Sequence, residues 1–139
     1  MVQLIVGKKG KGKTKQLLDK VNAAIKSADG NIVYLDKSTK HMFELNNKIR
    51  LINVSAYPLK NSDEFIGFIC GIISQDHDLQ EMYLDSFLKI ASLEDKDVSD
   101  ALKQLKKISS TFNVNFVISL SADKEEIPEE FQEDIIIAL

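Results

Sequence analysis

The chain has 139 residues, 44% hydrophobic and 28% charged, with a formal net charge of −3. Those proportions fit one globular domain spanning residues 1–139 and exclude a disordered or membrane-embedded chain. The acidic balance argues against broad nucleic-acid binding, which draws on a basic surface.

From the N-terminus, Val2–Val6 is a short apolar run that predicts a buried strand. Gly7–Thr14 is rich in glycine and lysine. From Lys13 to Ala28, the residues Leu17, Leu18, Val21, Ala24, Ile25 and Ala28 recur at helical spacing, and Asp29-Gly30 ends the helix. Asn31–Asp36 predicts a second buried strand, closing in an aspartate. Lys37–Lys48 reads as a polar loop with one short helix. Arg50–Ala56 predicts a third strand, and Asn61 or Ser62 caps a helix running to Gln75. Met82–Leu84 is a short strand leading into Asp85. A helix follows from Asp97 or Ser99 to Phe112, then a strand over Val114–Leu120. Lys124–Phe131 predicts a short acidic helix, and Asp134–Leu139 a last strand. Strands alternating with helices predict an α/β fold of three α/β/α layers around a mainly parallel sheet of about five strands.

Charge is uneven. Lysines at 8, 9, 11, 13 and 15 crowd one end, and acidic residues between Asp123 and Asp134 crowd the other. The single cysteine, Cys70, rules out an intrachain disulfide and a cysteine-based zinc cluster. No apolar run approaches the ~20 residues of a membrane span, and Met1–Val6 is too short for a signal segment. A cytoplasmic protein with no membrane span is therefore expected. His41 and His77 have no partner at metal-ligand spacing, so both are expected at the surface. Arg50 is expected as a surface charge at a strand start.

The segment Gly7-Lys8-Lys9-Gly10-Lys11-Gly12-Lys13-Thr14 matches G-x-x-x-x-G-K-[ST] in full. A triphosphate needs many donors close together, and backbone N–H groups supply them only from a tightly wrapped loop. Gly7 and Gly12 allow close approach without a Cβ, and Gly10 adds freedom between them. Lys13 would lie between the β- and γ-phosphates, Thr14 would give its hydroxyl to Mg²⁺, and the following helix would point its N-terminus at the phosphates. Lys8, Lys9, Lys11 and Lys15 complete the expected nucleotide contacts. ATP with Mg²⁺ is the expected ligand pair. For the metal, Asp85 is the expected carboxylate, because an apolar strand closes on it. Asp36 closes a similar strand and is its rival. Water activation needs one more group. Glu44 and Asp36 are the candidates, since Ser86 stands where many ATPases carry a glutamate after the strand aspartate. Ser119 and Ser121 are candidate sensors of the γ-phosphate.

Gly7–Thr14, Asp85 and the alternating elements resemble a RecA-like P-loop ATPase core. The chain also resembles, more weakly, short ATP-binding proteins of Gram-positive bacteria labelled as twitching-motility (PilT-type) proteins. The RecA-like resemblance implies that the Val114–Leu120 strand lies between those of Val2–Val6 and Met82–Leu84. It also implies phosphate-loop roles for Gly12, Lys13 and Thr14 and a metal role for Asp85. The family's catalytic glutamate has no counterpart here. The guanine-reading Asn-Lys-x-Asp of GTPases and the Leu-Ser-Gly-Gly-Gln of ABC ATPases are absent. One arginine cannot build the lid of a nucleotide kinase. The expectation is a weak Mg²⁺-dependent ATPase coupled to a protein partner or to its own oligomer, with a non-hydrolysing nucleotide sensor and a small-molecule kinase as alternatives.

Overall fold

The computed structural model describes residues 1–139. In chain order its elements are β1 (Val2–Gly7), α1 (Lys13–Ala24), β2 (Asn31–Asp36), β3 (Arg50–Asn53), α2 (Ser62–Ser74), β4 (Leu79–Leu84), α3 (Phe87–Ile90), α4 (Ser99–Phe112), β5 (Asn115–Ser121) and β6 (Ile135–Ala138). The six strands form one sheet in the order β3-β2-β4-β5-β1-β6, every pair parallel. β5 lies between β1 and β4, the order that the RecA-like resemblance implies. Helices cover both faces, as a parallel sheet requires, so the architecture is three-layer α/β/α. The sheet has six strands against the expected count of about five, with Arg50–Asn53 and Ile135–Ala138 as its two edges.

The two faces are unequal. A core of 26 buried residues fills the side covered by α2, α3 and α4, while nine fill the side covered by α1. The strands supply both by alternation. In β2, Val33 and Leu35 enter the larger core, and Ile32 and Tyr34 the smaller. In β4, Met82 and Leu84 enter the larger core and Tyr83 the smaller; in β5, Phe116 and Ile118 enter the larger and Val117 the smaller. Tyr34, Tyr83 and Val117 are lateral neighbours across the sheet on the α1 face. The two tyrosine rings stack with centroids 6.3 Å apart.

The element ends depart from the sequence pattern for local reasons. α1 stops at Ala24, although its apolar face continues to Ala28. The N–H groups of Lys26 and Ser27 bond three residues back, to Ala23 and Ala24, which tightens the chain out of the α-helix. The strand expected over Arg50–Ala56 ends at Asn53, whose side chain accepts the Ser55 N–H and turns the backbone into a 3₁₀ turn over Val54–Ala56. β4 begins at Leu79, three residues before the expected strand, because the polar Gln80 and Glu81 hide its start. Instead of one acidic helix over Lys124–Phe131 there are two 3₁₀ turns, Lys124–Glu126 and Glu129–Asp134. They are split at Ile127, which is held extended by Pro128. No helix is long and apolar enough to cross a membrane.

Candidate functional site

The polar residues of the site continue the apolar rows of the α1 face by two positions along each strand. Asp36 follows Tyr34, Asp85 follows Tyr83, and Ser119 follows Val117. All three are buried, with exposures of 2%, 2% and 1%. Parallel strands bring their carboxyl ends to one edge of the sheet, and α1 starts at that same edge, above the same face.

Asp85 is the hub. Its Oδ1 accepts hydrogen bonds from Ser119 Oγ at 2.9 Å and from Thr14 Oγ1 at 3.2 Å, and its Oδ2 accepts one from Tyr34 OH at 2.7 Å. Ser119 Oγ also accepts the Ser86 N–H at 2.9 Å, and the Asp85 N–H donates to Leu35 O. Burial first, then the charge and hydrogen bond of Asp85, push the Tyr34 hydroxyl far above its ordinary range, so it remains a donor. Tyr34→Phe removes the buried hydrogen bond to the Asp85 carboxyl group. Unfolding free energy should fall by about 1.5–3 kcal/mol in urea titrations, and any Mg²⁺-dependent ligand affinity should weaken while Mg²⁺-independent affinity holds.

The loop from Gly7 to Thr14 is wrapped, not extended. Lys8 O accepts from the Lys11 N–H at 3.2 Å and from Lys13 Nζ at 3.1 Å. Gly10 and Gly12 adopt φ of 85° and 92°, a region that favours glycine. A Cβ on Gly7 would lie 3.0 Å from Leu139 Cβ, so glycine allows the close approach there. Gly12 N-caps α1 without a side-chain cap bond, and the first turn of α1 holds no acidic residue. By contrast, α2 is capped by Asn61 and carries Asp63 and Glu64 in its first turn. Its uncapped first turn leaves α1's N-terminal donors and positive dipole end available to an anion. Lys13 is only 8% exposed; burial holds its ammonium below the ordinary lysine value, and the nearby Asp85 carboxylate opposes that shift.

A cavity of about 590 Å³ opens at this edge. Lys9, Gly10, Gly12, Lys13, Thr14 and Asp85 line it, as do Ser119 and Ser121. The remaining expected loop contacts lie elsewhere. Lys8 pairs with Asp123 at 3.4 Å, and Lys15 pairs with Asp19 at 2.7 Å on the exposed side of α1. Lys11 is exposed on the loop. Glu44 is exposed, its Oε2 lies 3.0 Å from His41 Nδ1, and its carbonyl accepts from Asn22 Nδ2. It lines a smaller neighbouring groove with Thr14, Lys15 and His41. Arg50 pairs with Asp76 at the opposite, amino-terminal edge of the sheet, which rules out a finger role within its own chain.

Asp36 is the unusual member. Its Oδ1 accepts the Lys37 N–H at 2.7 Å, but its buried Oδ2 has no partner, a condition that costs on the order of 1–3 kcal/mol. Burial first, then the Asp85 charge, raise its carboxyl above the ordinary value of 3.8. A raised folded value means the folded chain holds the proton longer than the unfolded one. This contribution to stability is complete below the unfolded value and is lost as pH rises through the folded value. Asp36→Asn should flatten that fall and raise the melting temperature at neutral pH, in melts from about pH 4 to pH 8.

Sequence reasoning missed Tyr34, although its place two residues before Asp36 on one strand face was a usable signal. It also missed Lys37, Lys40, His41, Lys89, Glu94 and Asp95, all of which line the cavity. They sit on connections whose course no periodicity gives.

Fold and site together define a three-layer α/β/α protein whose polar side chains converge at the carboxyl edge of a parallel sheet, against the uncapped start of α1. No family model matches the chain, and no curated protein matches it.

Proposed function

We propose that the chain binds a nucleoside triphosphate, ATP with Mg²⁺, in the Gly7–Thr14 loop, and turns it over slowly as a P-loop ATPase coupled to a protein partner or to its own oligomer. The observation that carries this reading is the contact between Thr14 Oγ1 and Asp85 Oδ1 at 3.2 Å, beneath a wrapped glycine loop. That contact joins the last residue of the motif to the carboxylate expected from a separate strand.

The donor set suits Mg²⁺. The ion prefers oxygen ligands and keeps most of its shell as water and phosphate oxygens, so one hydroxyl and one carboxylate suffice from the protein. The chain offers no cluster of three or more His, Cys, Asp or Glu side chains that would cage a metal by itself. Bound Mg²⁺ would neutralise charge on the phosphates. The remaining work belongs to the chain's own groups. Loop N–H groups and Lys13 hold the phosphates. Tyr34 and Ser119 keep the Asp85 carboxylate oriented. Asp36, buried on the strand beside Asp85 and outside the cavity lining, is the group assigned to accept a proton from a water that reaches its unpartnered Oδ2. Glu44 is the weaker candidate, being exposed and tied to His41.

One observation favours a non-hydrolysing sensor. Ser86 occupies the position after Asp85, and its backbone, at φ 55°, is fixed to Ser119. Calorimetric titration with ATP, GTP and ADP, with and without Mg²⁺, together with a phosphate-release assay, separates the readings. Slow ATP turnover lost in Asp36→Asn supports the ATPase; Mg²⁺-dependent binding with no phosphate release supports the sensor; absence of binding rejects both.

A further inference from the structure

The two edges of the sheet are built differently. β3, at one edge, opens on Arg50, which pairs with Asp76, and turns away at Asn53. β6, at the other, reads Ile135-Ile136-Ile137-Ala138, and the Leu139 N–H carries its ladder one step further, to Val6 O. Within residues 1–139 it pairs with β1 alone. Its register on β1 skips at Ile136, so Ile135 packs on the larger core and Ile137 on the smaller. Ile136 is left 40% exposed, and Leu139 is 42% exposed. Beyond the skip the ladder is regular. Successive strand residues turn their backbone groups to opposite sides. With the Leu139 N–H bonded to β1, the N–H and C=O of Ala138 face outward. Charges and prolines usually blunt such an edge, which is otherwise a template for another strand. β6 carries neither, and its one irregularity lies ahead of Ile137.

The charges at the two ends of β6 select the strand that fits it. Glu133 stands at its head, exposed and in no ion pair, while the intervening Asp134 is held by Lys106. At its foot, Leu139 lies beside Gly7, where β1 runs on into the exposed Lys8 and Lys9. Lys9 forms no ion pair, and Lys8 meets Asp123 only at 3.4 Å. An acidic head and a basic foot make β6 complementary to itself in reverse. Antiparallel pairing about a two-fold axis carries Glu133 of each copy toward Lys8 and Lys9 of the other. It also brings together the outward backbone groups around Ala138 and covers Ile136 and Leu139. Parallel pairing would set like charges side by side and would not close on two copies. Ion pairs of this exposed kind fix orientation, and the strand hydrogen bonds and apolar contacts supply the affinity.

We infer that the outer edge of β6 is an interaction surface for a second copy of this chain, joined by antiparallel β6–β6 pairing into one continuous sheet. This gives a surface to the oligomer of the proposed function. The pairing itself needs no nucleotide, so its failure leaves the nucleotide reading untouched.

The test is sedimentation equilibrium of the nucleotide-free full chain over a range of concentration and salt. A monomer–dimer equilibrium is expected, weakening as salt rises. Ala138→Pro removes the outward N–H and leaves the Leu139 bond to β1 in place, so dimer affinity should fall about tenfold or more. A thermal melt and circular dichroism of the same variant report whether the monomer keeps its fold. Should the proline also lower the melt, Ile136→Lys, at an exposed position of the same edge, gives the reading without altering the backbone. Glu133→Lys alone should weaken the dimer several-fold, and Glu133→Lys/Lys8→Glu should restore it, because both ends then exchange sign. A monomer at every concentration overturns the inference, as do assemblies larger than two. A dimer that persists unchanged in the folded edge variants, or charge reversals that fail to compensate, also overturn it.

Discussion

Lys13→Ala is expected to weaken ATP binding by about 100-fold or more, near 3 kcal/mol, with Mg²⁺ and without it. Lys13 lies almost buried in the loop, its ammonium held below the ordinary lysine value by burial and bonded to the Lys8 carbonyl. An arriving phosphate adds its negative charge to that of the nearby Asp85 carboxylate and offsets the burial of the ammonium. The bond from the ammonium to the neutral Lys8 carbonyl exchanges for bonds to phosphate oxygens, in which donor and acceptor are both charged. Alanine removes those bonds and leaves Lys8 O with only the Lys11 N–H. The loop itself should persist, because Gly10, Gly12 and the start of α1 set its course without the lysine side chain. Calorimetry on the variant, with circular dichroism to confirm the fold, checks both halves of this expectation.

Asp85→Asn is expected to act differently. It should abolish Mg²⁺ stimulation and cost about 100-fold in affinity for the Mg²⁺ complex of ATP, near 3 kcal/mol, while metal-free binding changes little. The asparagine keeps an oxygen for some of its three hydroxyl donors, Thr14, Tyr34 and Ser119, but loses the charge that a cation requires. A second consequence follows from proximity. The Asp85 charge is one of the causes that raise Asp36, so removing it should bring the Asp36 carboxyl back toward its ordinary value. The loss of stability on raising pH should then be smaller than in the parent chain and complete at lower pH. Mg²⁺ titrations with and without nucleotide, followed by melts across pH, separate the metal effect from the electrostatic one.

How far the sequence carried this picture differs by element. The fold class was legible because alternating apolar runs and helical stripes leave few ways to pack. The loop was legible because its glycines, lysine and threonine occupy contiguous positions. Asp85 was legible only in combination, since an apolar run closing on aspartate is common by itself. Helix ends were less legible: the Ala28 side of α1 still packs inward while the backbone has already tightened into 3₁₀ bonds. Apolar spacing reports the face of a helix and not its last hydrogen bond. The Lys124–Phe131 segment was misread for another reason. Pro128 fits the first turn of a helix, but its restriction on Ile127 split the segment instead. Tyr34 looked like core, and it is core; its hydroxyl alone makes it part of the site. The cavity lysines at 37, 40 and 89 come from two connections that meet only after the sheet is assembled, so no local pattern joins them.

On the proposed reading, the Gly7–Thr14 loop encloses polyphosphate oxygens. A crystal structure of the full chain with Mg²⁺ and a non-hydrolysable ATP analogue tests it most directly. The β- and γ-phosphate oxygens are expected within hydrogen-bond distance of Lys13 Nζ and of the N–H groups from Gly10 to Thr14, with the Thr14 hydroxyl on the metal. An empty loop at saturating analogue, with Lys13 still bonded to Lys8 O, would contradict it.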